Sequence, residues 1–204
     1  MNKAILKIDQ LVKKSLKNDK TGHGYDHTIR VLKNSMKLAK HYPKANKEIL
    51  WVAALLHDIG YKDGPVKNHH LVGAKQAEKI LSDIGFPKEK ISKVVIAIED
   101  HVAHMSTPLR KNSELQIESK ILRDADNIDA LGIIGVKRMS AFSKNQKVPN
   151  FISKEDKLDQ SLYGNLNFLL DWPERMLTPE GRKIGKQSLK PIRNFMKKLE
   201  KERR

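Results

Sequence analysis

The chain has 204 residues, enough for one domain with a sizeable core, and no cysteine, which excludes disulfides, thiolate zinc sites and cysteine nucleophiles. Its 40 Lys and Arg against 24 Asp and Glu give a net charge of +16, which favours anionic partners, but the basic residues are spread along the chain and read mostly as solvated helix faces. Aromatics make up only 5%, with no stacking motif or basic recognition helix, so specific nucleic-acid binding is not expected. No apolar run approaches the roughly 18 residues of a membrane span, and the N-terminal stretch lacks the apolar core and cleavage site of a signal peptide. The expectation is a cytoplasmic protein without membrane association.

Ile5, Ile8, Leu11, Val12 and Leu16 recur at helical spacing and predict a first helix over about residues 3–17. A loop rich in Asp and Gly leads to a second helix, which carries His27 near its start and ends before Pro43. The third, about residues 46–59, is apolar on nearly every side, which predicts a central, buried helix. Gly64-Pro65 marks a loop, and a fourth helix over about 69–84 is closed by Gly85-Phe86-Pro87. A fifth follows over about 88–103, with Thr107-Pro108 and Asn112-Ser113 in the next loop. The sixth covers about 114–131 and a further helix runs from Gly132 to about residue 143. Residues 158–170 read as a helix broken by Trp172-Pro173, and a last helix starts at Pro179 with Thr178 as its N-cap. Sustained period-two alternation is missing throughout, so the expected class is all-α with eight or nine helices.

The chemistry centres on Leu55-Leu56-His57-Asp58-Ile59-Gly60. Adjacent helical positions point about 100° apart, so His57 and Asp58 can both reach one ion over the end of the third helix, where Gly60 is expected to supply the freedom that stops it. Partners lie upstream in Gly22-His23-Gly24-Tyr25-Asp26-His27 and downstream in Arg123-Asp124-Ala125-Asp126-Asn127.

This order of His27, then His57-Asp58, then a distant Asp126 resembles the HD-domain phosphohydrolase superfamily. The likeness continues through Gly132-Ile133-Ile134-Gly135-Val136-Lys137-Arg138 and Met176-Leu177-Thr178-Pro179-Glu180-Gly181-Arg182. It implies one HD domain over residues 1–204, with a metal-binding core at about 20–140 and helices at about 155–200 packing on it. It further implies a divalent ion on His27, His57, Asp58 and Asp126. Two histidines and two carboxylates suit Mn, Fe, Ni, Co or Zn, and Mg less comfortably.

In two-metal members, histidines in contexts like those of His70 and His101 hold a second ion; in single-metal members such positions face the substrate phosphates. Two solvent-exposed polar residues are the third alternative, and His69 could take the place of His70. Arg30, one turn after His27, suits a polyphosphate, with a salt bridge to Asp26 or another carboxylate as the alternative; Lys62 and Arg138 are weaker cationic candidates, and His23 is a turn residue, a support for the ligands or a substrate contact. His41 and His104 read as surface residues, and Asp129 as a support for the ligands. Asp58 or His101 could accept a proton if a general base is needed. The implied substrate is a small phosphate ester, foremost a nucleoside triphosphate cleaved to monophosphate and pyrophosphate. A two-metal phosphatase or phosphodiesterase, or a non-catalytic nucleotide sensor, are the alternatives, and a homodimer is compatible with the sequence.

Overall fold

A computed structural model describes residues 3–17, 19, 22–61, 68–102 and 110–202. Lys62, His104 and the turn signals Gly64-Pro65 and Thr107-Pro108 lie outside the described residues. Among the described residues there are nine helices of seven residues or more and no strand, as the periodicity predicts. No helix among them is long and apolar enough to cross a membrane.

The chain divides into two compact units, Met1–Asp126 and Asn127–Arg204. The first holds α1 (Lys3–Ser15), α2 (Tyr25–Ala39), α3 (Lys47–Leu56), a 3-10 turn (Ile59–Tyr61), α4 (His69–Asp83), α5 (Lys88–Asp100) and most of α6 (Ile117–Asp129). α3 is its central element: it packs against α1, α2 and α5, and every residue from Val52 to Leu56 is buried. Its start is fixed by Asn46, whose side chain accepts hydrogen bonds from the amides of Glu48 and Ile49. The Asn46 amide in turn donates to the Glu118 carboxylate at 2.6 Å, tying the start of α3 to that of α6.

Two sequence expectations change here. α3 stops at Leu56, so His57 and Asp58 follow the helix rather than riding on its last turn. Gly60 is not in the left-handed region, which among glycines Gly22, Gly85 and Gly132 occupy. It is needed for space: a Cβ there would stand 2.3 Å from the His69 carbonyl oxygen and 2.4 Å from the Gly73 nitrogen. Gly60 therefore lets the backbone of the 3-10 turn lie directly on α4. Gly85, with φ of +71°, does end α4 as expected.

The second unit holds α7 (Gly132–Asn145), α8 (Leu162–Phe168), a 3-10 turn (Leu169–Asp171), α9 (Trp172–Arg175) and α10 (Pro179–Lys201). Leu166, Leu169 and Ile192 are completely buried at its core. α8 begins later than the apolar pattern suggests because Ser161 caps it, its hydroxyl accepting from the Gly164 amide. Trp172-Pro173 opens α9 rather than breaking a helix, since a proline in a first turn forfeits no helical hydrogen bond. Thr178 caps α10 by accepting from the Gly181 amide, as expected.

Candidate metal centre

Local structure delivers each side chain of the centre. The Asp19 carboxylate accepts from the amides of Gly22 (3.0 Å) and His23 (2.9 Å), shaping the turn that leads into α2. His27 then sits in the first turn of α2, buried. His57 and Asp58 leave the end of α3, and Asp126 comes from the third turn of α6.

These residues converge. His27 Nε2 lies 3.3 Å from His57 Nε2, 3.3 Å from Asp58 Oδ2 and 3.2 Å from Asp126 Oδ1. His57 Nε2 lies 3.2 Å from the same Asp58 oxygen. His57 Nδ1 is 2.8 Å from the Ala54 carbonyl, a contact that makes Nδ1 the donor and leaves the neutral ring's lone pair on Nε2, aimed inward. Three side chains, His27, His57 and Asp58, are almost wholly inaccessible, while Asp126 keeps 28% of its exposure. Electron-rich atoms packed this closely need a proton or a metal ion among them. The electrostatics agree. Burial opposes a charge on His57, but the Asp58 and Asp126 carboxylates outweigh it and raise its pKa. Burial would likewise raise Asp58 and Asp126, yet the neighbouring histidines hold both carboxyls far below the usual range. A donor set of imidazole and carboxylate fits a divalent metal: His27, His57 and Asp58 lie close enough together to hold one ion, and Asp126 stands beside them through its contact with His27.

Asp58 uses its other oxygen for a second group. Oδ1 lies 3.7 Å from both His69 Nε2 and His101 Nε2, and these two nitrogens are 3.2 Å apart. His101 Nδ1 meets the Ile98 carbonyl at 2.6 Å, so its Nε2 also turns a lone pair toward Asp58. His27–His57–Asp58 and Asp58–His69–His101 are thus two ligand-like triplets sharing one carboxylate.

Of the adjacent pair that opens α4, it is His69 and not His70 that reaches Asp58. One step along a helix rotates the side chain by about 100°, and His70, though buried, belongs to neither triplet. Arg30 follows His27 by one turn of α2 and is half-buried. His23 is half-buried, its ring 3.9 Å from that of Tyr61. Arg138 lies in the second unit and donates to Asp129 at 3.0 Å within that unit. His41 is exposed.

Sequence reasoning passed over a support behind His101. Arg123 donates from Nε (2.9 Å) and Nη2 (2.6 Å) to the backbone carbonyl of Asp100, the residue before His101. The Asp100 carboxylate accepts from Ser119 at 3.0 Å and from Arg110 at 2.8 Å. Arg123 stands one turn before Asp126 on α6, so it joins the end of α5 to the helix carrying that carboxylate. An arginine beside Asp124 reads as surface charge in the sequence; only the burial of its head group distinguishes it.

The HD domain family model matches residues 24–131, more than half of the chain. The uncharacterised Bacillus subtilis protein YpgQ is 27% identical over 192 residues, covering 94% of this chain and 89% of YpgQ. The crystal structure of YpgQ in complex with ADP matches with a TM-score of 0.77 at 24% identity, over 98% of this chain and 95% of that one. A Lactobacillus plantarum protein gives a TM-score of 0.80 at 19% identity, over 99% and 97% of the two chains. An HD-superfamily hydrolase of Bacillus thuringiensis gives 0.74 at 24%, over 97% and 95%. The likeness to these solved structures establishes the fold.

Proposed function

The chain belongs to the HD-domain family of metal-dependent phosphohydrolases, and from that premise we propose that it acts on nucleotides, cleaving a nucleoside triphosphate to the monophosphate and pyrophosphate. The observation that carries the reading is the cluster in which His27 Nε2 meets His57, Asp58 and Asp126 at 3.2–3.3 Å. A divalent ion there would polarise a phosphoryl oxygen and acidify a water, as phosphoester hydrolysis requires. Mn, Fe, Ni, Co and Zn suit the donors, and Mg less well. Asp126, the most exposed of the four, marks the side on which a phosphate ester approaches. Arg30 and His23 are the substrate contacts this reading assigns. His101 Nε2, with its lone pair turned inward, is the proton acceptor; Asp58, held far below the ordinary carboxylate range, is too weak a base. Bound ADP in YpgQ supports a nucleotide ligand, and the net charge of +16 supports an anionic one.

A second reading has an observation of its own. The triplet Asp58–His69–His101 supports a two-ion phosphatase or phosphodiesterase, in which His101 is a ligand instead of a base. Product analysis on a nucleotide panel with Mn²⁺ separates the two, with pyrophosphate and orthophosphate quantified independently. Pyrophosphate from a triphosphate supports the first reading. Orthophosphate from a monophosphate, or opening of a cyclic diester, supports the second. No product from any member of the panel would sink both.

A further inference from the structure

Six aromatic rings form a closed circuit, and four of them meet Asp58. From His27 the ring centroids step 5.3 Å to His57, 5.2 Å to His101 and 5.2 Å to His69. They continue 4.2 Å to Tyr61, 3.9 Å to His23 and 5.6 Å back to His27. Four of the six belong to the two triplets. Tyr61 and His23 do not; they close the circuit between His69 and His27.

The shortest steps are those around Tyr61. Its ring lies nearly parallel to that of His23, at 12°, and is tilted by 35° to that of His69. Its ring is thus engaged by two protein rings rather than offered as a platform to a nucleobase. It is instead a wedge. His69 opens α4, where its ring has no turn of its own helix before it to lean on. Stacking on Tyr61 supplies that restraint, and the 3-10 turn carrying Tyr61 is pressed onto α4 through Gly60.

We infer that Tyr61 is a positioning residue: wedged between His23 and His69, it fixes the His69 ring so that Nε2 faces Asp58 and His101, completing a second cation site. The inference rests on the two-ion reading above, in which His101 is a ligand and not the proton acceptor. Restraints behind a ligand are worth 10- to 100-fold in metal affinity, and the effect should fall on the ion at Asp58–His69–His101 alone.

Metal-stripped protein is titrated with Mn²⁺ and free Mn²⁺ followed by electron paramagnetic resonance, with circular dichroism as the fold control. Wild type should bind two ions per chain, and His69→Ala only one. Tyr61→Phe keeps the stack and should match wild type. Tyr61→Leu keeps bulk but not the flat ring, and should weaken one ion about tenfold or more while sparing the other. His23→Ala opens one face of Tyr61 and should weaken the same ion less; it carries the test if Tyr61→Leu does not fold. If wild type binds two ions and both Tyr61→Leu and His23→Ala bind them equally well, the positioning role is wrong and the metal centre stands. Equal weakening of both ions would also overturn it, because a wedge specific to His69 predicts asymmetry. A wild type that binds one ion, unaffected by His69→Ala, removes the second site and the inference with it. A wild type that binds none overturns the metal reading itself.

Discussion

His27 and His57 face each other nitrogen to nitrogen, Nε2 to Nε2, at 3.3 Å. His57 keeps its other nitrogen on the Ala54 carbonyl, so the inward nitrogen of the neutral ring carries a lone pair. With Asp58 Oδ2 at 3.2 Å from that same nitrogen, the contact is stable only around a proton or a metal ion. Metal should therefore stabilise the fold. At a hundred times its dissociation constant, a ligand of the native state contributes about 2.7 kcal/mol. For a chain of this size that is roughly 5–10 °C in Tm. Scanning calorimetry with and without Mn²⁺ should show this rise for wild type and not for Asp58→Ala, which keeps its helical circular dichroism. An equal rise in both proteins would contradict the ligand set.

Gly60 gives a steric prediction. A methyl group there meets the His69 carbonyl and the Gly73 nitrogen, backbone atoms that cannot swing aside. Gly60→Ala should cost about 1–3 kcal/mol, the usual range for overpacking, read as a lower urea midpoint with an unchanged slope. An unaffected midpoint would mean that the turn and α4 are not in this close contact.

Arg123 predicts a loss of a different kind. It is buried, and its paired N–H groups hold the Asp100 carbonyl. Lysine cannot reproduce the fork, so Arg123→Lys should lose about 1.5–3 kcal/mol, the range for charge-assisted hydrogen bonds. Because the clamp abuts His101, activity should fall more than stability alone explains under conditions where the variant is fully folded. Full activity in the folded variant would confine Arg123 to a structural role.

The second unit carries a pH prediction. Burial would raise the pKa of Asp156, but the Ser161 hydroxyl and the amides of Ile152 and Ser153 all donate to its carboxylate and hold it below the ordinary value. The folded value is the lower one, so this carboxylate's stabilisation is complete above the unfolded value of about 3.9 and is lost as pH falls below it. The stability advantage of wild type over Asp156→Asn should be level near neutral pH and shrink below about pH 4. An advantage that grew on acidification would contradict the hydrogen-bond account.

Much of this molecule is legible in its sequence, for identifiable reasons. The run from Leu50 to Leu56 is apolar all round, and only a central buried helix satisfies it. Thr178 followed by Pro179 announces the start of α10, because capping is local chemistry. His27, His57, Asp58 and Asp126 could be paired in advance because their order and flanks form a family pattern. The choice between His69 and His70 could not, since it depends on the helical phase with which α4 begins. Gly60 reads in the sequence as a source of freedom yet supplies space, because a close approach between two backbones leaves no local signal. Tyr61 and Arg123 act across elements, on His69 and Asp100, and no spacing within the chain reveals such contacts.

Phosphate or pyrophosphate release from nucleotides by wild type and His57→Ala, each with Mn²⁺ and with chelator, puts the metal-dependent hydrolysis itself to the test. Release should require Mn²⁺ in wild type and be lost in His57→Ala although its helical content is intact. Release that survives the chelator, or proceeds at the wild-type rate in His57→Ala, would contradict metal-dependent hydrolysis at this centre.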